Sequence, residues 1–157
     1  MMIITDSASD ITKQEALEMN IRIVSLKIRF SDGEFHQIRK KYFLLFSNCS
    51  GKDLPTTSQP SPEEFLELYE EAKDAGEEVL VITLSSGLSG TVNAANLAKQ
   101  MAEYEKIWIV DSEQAIITQR FLVQRAVKMR KEGKGVEEIV ACLEDLKKRL
   151  TVCGMLN

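Results

Sequence analysis

The chain has 157 residues, one domain's worth, and its 44% hydrophobic and 28% charged side chains are ordinary values for a folded core. A net charge of −4 leaves no basic face for nucleic acid, and no apolar stretch approaches the ~20 residues of a membrane span. Met1 to Asp6 reaches an acid without a basic leader region, and three cysteines, Cys49, Cys142 and Cys153, show neither pairing nor C-x-x-C spacing, so a soluble cytoplasmic chain with reduced thiols is expected.

Met2–Thr5 reads as a short apolar strand ending in Asp6-Ser7. Thr12 and Glu15 have capping-box spacing, which predicts a helix to about Met19. Ile21 to Phe30 alternates from Val24 onward, a half-exposed strand, and Ser31-Asp32-Gly33 predicts a hairpin to Glu34–Gln37. Arg39-Lys40-Lys41 reads as a solvated run, and Tyr42–Phe46 is apolar enough to predict a helix. An irregular stretch from Ser47 ends as Leu54-Pro55-Thr56-Thr57-Ser58-Gln59-Pro60.

Ser61, Pro62 and Glu64 then form a helix start, with Phe65, Leu68, Tyr69 and Ala72 as its buried stripe and Gly76 as its end. Val79–Ile82 is a continuous apolar run, the signature of a strand covered on both faces. Ser85 to Thr91 bends the chain into an Ala-rich helix whose inward positions are predicted at Leu88, Val92, Ala95, Leu97 and Met101. Ile107–Val110 is another buried strand, ending in Asp111-Ser112. Two helices follow, from about Ala115 to Lys131 and one patterned by Ile139, Leu143, Leu146 and Leu150, before Thr151–Leu156 begins a further strand.

This alternation predicts an α/β fold, a mainly parallel sheet with helices on both faces. Asp6-Ser7, Ser85-Ser86 and Asp111-Ser112 all end strands, so they should gather at the carboxyl edge, where ligands bind in open α/β sheets. Ser85-Ser86-Gly87-Leu88-Ser89-Gly90-Thr91 supplies four hydroxyls and two glycines before a helix, more than a cap requires, and suits a small anion. Thr56–Gln59 is hydroxyl-rich too, although an ordinary polar loop explains it equally well. A serine hydrolase is disfavoured, because Thr91 occupies the second glycine of a G-x-S-x-G elbow and His36, the sole histidine, lies in the hairpin. Asp6 and Asp111 could form an acid/base or magnesium pair, but strand-end aspartates more often cap loops. No metal site, catalytic residue or P-loop is expected.

Together, Ile4-Thr5-Asp6-Ser7-Ala8-Ser9-Asp10, Leu54-Pro55-Thr56-Thr57-Ser58-Gln59-Pro60-Ser61, Thr83-Leu84-Ser85-Ser86-Gly87-Leu88-Ser89-Gly90-Thr91 and Val110-Asp111-Ser112 resemble the DegV family of bacterial fatty-acid-binding proteins, in order and spacing, over essentially the whole chain. The resemblance implies a non-catalytic carrier with no cofactor, whose ligand is a long-chain fatty acid. It implies carboxylate contacts from Thr57 and Ser86, within a site that includes Ser58, Ser85, Gly87, Ser89, Gly90, Asp6 and Ser7. It further implies presentation of the fatty acid to a separate fatty acid kinase for phospholipid synthesis. Residues 1–150 would be the N-terminal α/β domain and 151–157 the start of a connection to a second domain that is absent, so a truncated chain could self-associate. His36–Ser50 and Gln114–Arg120 depart from the resemblance; Gln119 and Arg120 stand where small residues are expected. The rival reading is a phosphate- or phosphosugar-handling enzyme domain using Ser86–Thr91 as its phosphate loop.

Overall fold

The computed structural model describes residues 1–30, 33–36 and 56–151. In chain order the elements are β1 (Met2–Asp6), a 3-10 turn (Ser7–Ser9), α1 (Lys13–Met19), β2 (Arg22–Val24), β3 (Lys27–Phe30), β4 (Gly33–His36), β5 (Thr56–Ser58), α2 (Pro62–Asp74), β6 (Val79–Thr83), α3 (Thr91–Ala102), β7 (Ile107–Asp111), α4 (Ile116–Lys131) and α5 (Val136–Lys147). The predicted α/β fold is observed: β2-β1-β6-β7 form a sheet in which every pair is parallel. The predicted helix at Tyr42–Phe46, the basic run at 39–41 and the strand expected beyond Thr151 lie outside the described residues.

Successive residues of the inner strands serve opposite faces, as pleating requires. Ile3, Leu80, Ile82 and Val110 pack with α1, α4 and α5 through Ala16, Leu122, Val123, Val127, Ile139 and Leu143. Ile4, Val79, Val81 and Ile107 pack on the other face against α2 and α3 through Phe65, Tyr69, Ala72 and the alanines of α3. All five residues of β6 are buried, which is why the strand reads as an uninterrupted apolar run.

Two expectations change. The single strand expected over 21–30 is split at Ser25-Leu26: β2 pairs with β1, whereas β3 joins β4 and β5 in a small antiparallel sheet. The Leu26 N–H donates to Ser7 Oγ at 3.0 Å instead of a strand ladder, which marks the crossing point. In α3, Leu97 and Met101 are exposed, as is Leu88 before it, while Ala94, Ala95, Ala98 and Ala102 are buried. Small side chains let α3 lie close against α2, whose Tyr69 hydroxyl donates to the Ala95 carbonyl at 3.3 Å.

The capping expectations hold. Thr12 and Glu15 bond reciprocally at the start of α1, and Ser61 N–H donates to Glu64 Oε2 at 2.8 Å at the start of α2. Gly76 follows α2 with φ +67°, a left-handed conformation that side chains resist. Among the described residues no helix is long and apolar enough to cross a membrane.

Candidate functional site

The three predicted strand ends do meet at the carboxyl edge. Asp6, fully buried, ends β1 and accepts from three directions. Its Oδ2 takes the Leu84 N–H at 2.7 Å; its Oδ1 takes the Ala8 N–H at 3.0 Å and the Gln119 amide at 3.1 Å. Burial pushes its carboxyl up to about 6 from the ordinary 3.8, and those three donors pull it partly back. Ser7 lies beside it and accepts the Leu26 N–H, so it ties the crossing between the two sheets to the end of β1.

On the far side of β6, Asp111 ends β7. Both of its carboxylate oxygens face the Ser86 N–H, at 3.2 and 3.3 Å, and Oδ1 also takes the Glu113 N–H at 3.0 Å. Asp6 and Asp111 are two strands apart, roughly 10 Å by strand spacing. Each is engaged with backbone donors, so the acid/base or magnesium pairing weighed from sequence is not the arrangement found. Among the described residues no cluster of three metal-ligating side chains occurs.

Between these aspartates the Ser85–Thr91 segment folds on itself. Leu88 and Ser89 N–H both donate to the Ser85 carbonyl, and Gly87 N–H donates to Ser85 Oγ at 3.2 Å. Ser89 Oγ lies 2.9 Å from Thr91 Oγ1 and accepts the Thr91 N–H at 3.3 Å, so these two hydroxyls shape the entry to α3. Gln59 lies close over Gly90: a Cβ there would come within 2.0 Å of Gln59 Oε1, so the end of that exposed side chain would have to move aside. The second hydroxyl-rich stretch is thereby laid directly over the first.

β5 brings Thr57 opposite Ile28 and Ser58 opposite Lys27, with both side chains exposed. The result is a cleft of about 320 Å³ lined by Ala8, Leu26, Thr57, Ser58, Gln59, Leu84, Leu88, Ser89 and Gly90. Its lining combines hydroxyls and an amide, from Thr57, Ser58, Ser89 and Gln59, with the aliphatic side chains of Leu26, Leu84 and Leu88. That volume is at the small end of the roughly 300–1,000 Å³ of ligand clefts. Thr57, Ser58, Ser89 and Gly90 of the expected site line it. Ser86, Ser85, Gly87, Asp6 and Ser7 do not; they adjoin or support it.

Gln59, Leu26, Leu84, Ala8 and Leu88 also line the cleft, and Gln59 stood inside the Thr-Ser-Gln stretch without being singled out. Gln119 and Arg120, which the sequence marks only as departures, turn out to be structural. Arg120 donates to the Asp10 carbonyl at 3.0 Å and pairs with Glu15, joining α4 to α1.

A mainly parallel sheet with a hydroxyl-and-aliphatic cleft at its carboxyl edge defines an open α/β protein with a cleft at the strand ends, where folds of this class bind their ligands. Within that class the chain belongs to the DegV family, whose model, described as a family of uncharacterised proteins, matches residues 1–157. A DegV domain-containing protein of Staphylococcus aureus strain N315 is 32% identical over 160 residues, covering 99% of this chain and 57% of that relative. The structure of a DegV family protein from Thermus thermophilus, described as fatty acid binding, superposes with a TM-score of 0.82 at 31% identity over 94% of this chain and 53% of its own. A stearic-acid-binding protein from Eubacterium ventriosum gives 0.83 at 26% identity, over 90% and 51%. The chain thus spans little more than half the length of these relatives.

Proposed function

We propose that this chain binds a long-chain fatty acid, as a carrier and not as an enzyme, with the carboxylate at the hydroxyl-rich part of the cleft and the start of the acyl chain along Leu26, Leu84 and Leu88. The observation that carries this reading is the mixed lining of the cleft, hydroxyls and an amide beside three leucines, which suits a ligand with one anionic end and an apolar remainder. The fatty acids held by structurally similar proteins support the same ligand class. Thr57, which lines the cleft, and the hydroxyl of Ser86, which adjoins it, are assigned as the carboxylate donors. Ser58, Ser85, Gly87, Ser89 and Gly90 complete the polar shell, and Asp6 and Ser7 brace it.

Several hydroxyl and N–H donors together offset the desolvation of a carboxylate in a cleft whose described lining holds no cation. The acyl chain supplies most of the affinity, at roughly 0.8 kcal/mol per buried methylene before ordering costs. In the cell, following the family resemblance, a cytoplasmic chain of this kind passes its fatty acid to a separate fatty acid kinase. A second copy, or the second domain that the resemblance implies, would complete the wall around the tail.

The test is mass spectrometry of an organic extract of the purified chain, together with native mass spectrometry after incubation with oleate or with a sugar phosphate. Near-stoichiometric fatty acid is expected, lost in Thr57→Ala with Ser86→Ala. Each charge-assisted bond removed should lower affinity about tenfold or more. Uptake of the sugar phosphate without uptake of fatty acid would overturn the reading in favour of a phosphate loop.

A further inference from the structure

Gln119 is a glutamine without solvent exposure on α4, where the surrounding positions Leu122, Val123 and Ala126 form the apolar core. Its Nε2 reaches Asp6 Oδ1 at 3.1 Å and Thr5 Oγ1 at 3.3 Å. Thr5 Oγ1 in turn donates to the Ile82 carbonyl at 2.8 Å. The Gln119 amide therefore touches the ends of both β1 and, through Thr5, β6. Its Oε1 has no hydrogen-bond partner among the described residues. A buried half-satisfied amide is costly, and an aliphatic side chain would fill the same space without that cost. Packing alone does not account for it.

What the amide holds is the origin of the loop. Leu84 is the first residue beyond β6, and its N–H is fixed by Asp6 Oδ2 at 2.7 Å. The next N–H, that of Ser85, goes to the Gln114 carbonyl at 2.8 Å, so the loop is anchored from two sides. We propose that Gln119 is the positioning residue of the ligand edge: its amide fixes the Asp6 carboxylate, which fixes the Leu84 N–H from which the Ser85–Thr91 loop departs. The assignment of that loop to a ligand rests on the fatty-acid-binding reading; the mechanical linkage does not.

The linkage is also sensitive to protons. An ionised carboxylate is roughly twice as strong an acceptor as a neutral group. Protonation of Asp6 therefore weakens the hold on Leu84 and makes the Gln119 donor redundant. Among the described residues, the elements around Asp6 carry Arg120, Arg125, Lys128, Arg130 and Lys131 on α4, Lys13, Glu15 and Glu18 on α1, Asp10 in the turn after β1 and Arg22 on β2, and none of them is hydrogen-bonded to its carboxylate. Arg120 pairs with Glu15 and bonds the Asp10 carbonyl, and Arg22 pairs with Glu71. Burial and hydrogen bonds, not a charge partner, set the Asp6 carboxyl.

The experiment is residue-resolved amide hydrogen exchange with carboxyl NMR titration of Asp6, on the whole 157-residue chain and on Gln119→Met, which keeps the length and removes the donor. At pH 7 the Leu84 and Ser86 amides of the variant should exchange about fivefold faster. Leu80 and Ile82 within β6 should keep their protection, and the Asp6 midpoint should rise from about 6. Unchanged Leu84 exchange with an unchanged midpoint would overturn the proposal, as would equal acceleration along β6, which signals a packing role. If Gln119→Met does not fold, the wild-type chain decides. Acidification through the Asp6 midpoint should accelerate Leu84 relative to Ile82 after correction for intrinsic rates, and no relative change would overturn the linkage. None of these readouts uses lipid, so failure of the chain to take up fatty acid refutes the ligand reading alone.

Discussion

Asp6 and Asp111 end strands on either side of β6 and perform the same act, taking an N–H of the segment that leaves it. They differ in surroundings. Asp6 is fully buried and holds Leu84; Asp111 is half-buried and holds Ser86 within reach of solvent. Water can replace the acceptor lost from Asp111 but not the one lost from Asp6. The same bond is therefore a fixed anchor on one flank of the loop and an adjustable one on the other. The adjustable flank is the one that carries Ser86, a residue assigned to the ligand.

The largest expected effect breaks the buried flank. Asp6→Ala takes the acceptor from the Leu84 and Ala8 N–H groups and leaves the Gln119 amide with Thr5 Oγ1 alone, and should lower unfolding free energy by about 3 kcal/mol in a denaturant titration. The pH dependence of wild-type stability is of similar size and follows from the same residue. Folding raises the Asp6 carboxyl from 3.8 to about 6, so the folded chain binds the proton more readily in that window. Its contribution is fully present below about pH 4 and lost as pH rises past about 6, of order 3 kcal/mol at about 1.4 kcal/mol per pH unit. Urea titrations at pH 5 and pH 7 should show about 1.4 kcal/mol of it, the part lost between pH 5 and the folded midpoint, and Asp6→Asn should flatten the profile.

Asp111→Ala tests the other flank. Its expected cost in a urea titration is under about 1 kcal/mol, since solvent takes over the freed N–H groups. Ser86 exchange should nevertheless accelerate, and fatty acid affinity should fall with it. A loss as large as that of Asp6→Ala would show that the two flanks are equivalent. Smallest in stability is Gly90→Ala, whose new methyl meets the tip of the flexible, exposed Gln59. Calorimetry should register no more than about 0.5 kcal/mol. Displacement of Gln59 from the cleft should still weaken ligand binding measurably.

These flanks also show what a sequence can carry. Local signals survived into the structure: the Thr12–Glu15 box, the Ser61-Pro62 helix start and the doubly covered run of β6. The convergence of Asp6, Ser85-Ser86 and Asp111 followed from strand ends alone, because a parallel sheet aligns them. The failures arose where packing chose between chemically similar options. Leu97 and Met101 are stronger hydrophobes than the alanines of α3, yet close approach to α2 favoured the smaller side chains. The break at Ser25-Leu26 depends on a hydroxyl 19 residues earlier, which alternation along the strand does not encode. Gln119 is polar and lies within a helix, so its local pattern says surface. Only its partner 113 residues away explains its burial.

That separation has a further consequence. The bonds from Leu84 to Asp6 and from Gln119 to Asp6 close segments of 78 and 113 residues. Contacts so distant along the chain form only after most of the intervening polypeptide has condensed, and they raise the entropic barrier to be crossed. The cleft should therefore be assembled late during refolding, after α2 and α3 have packed on each other.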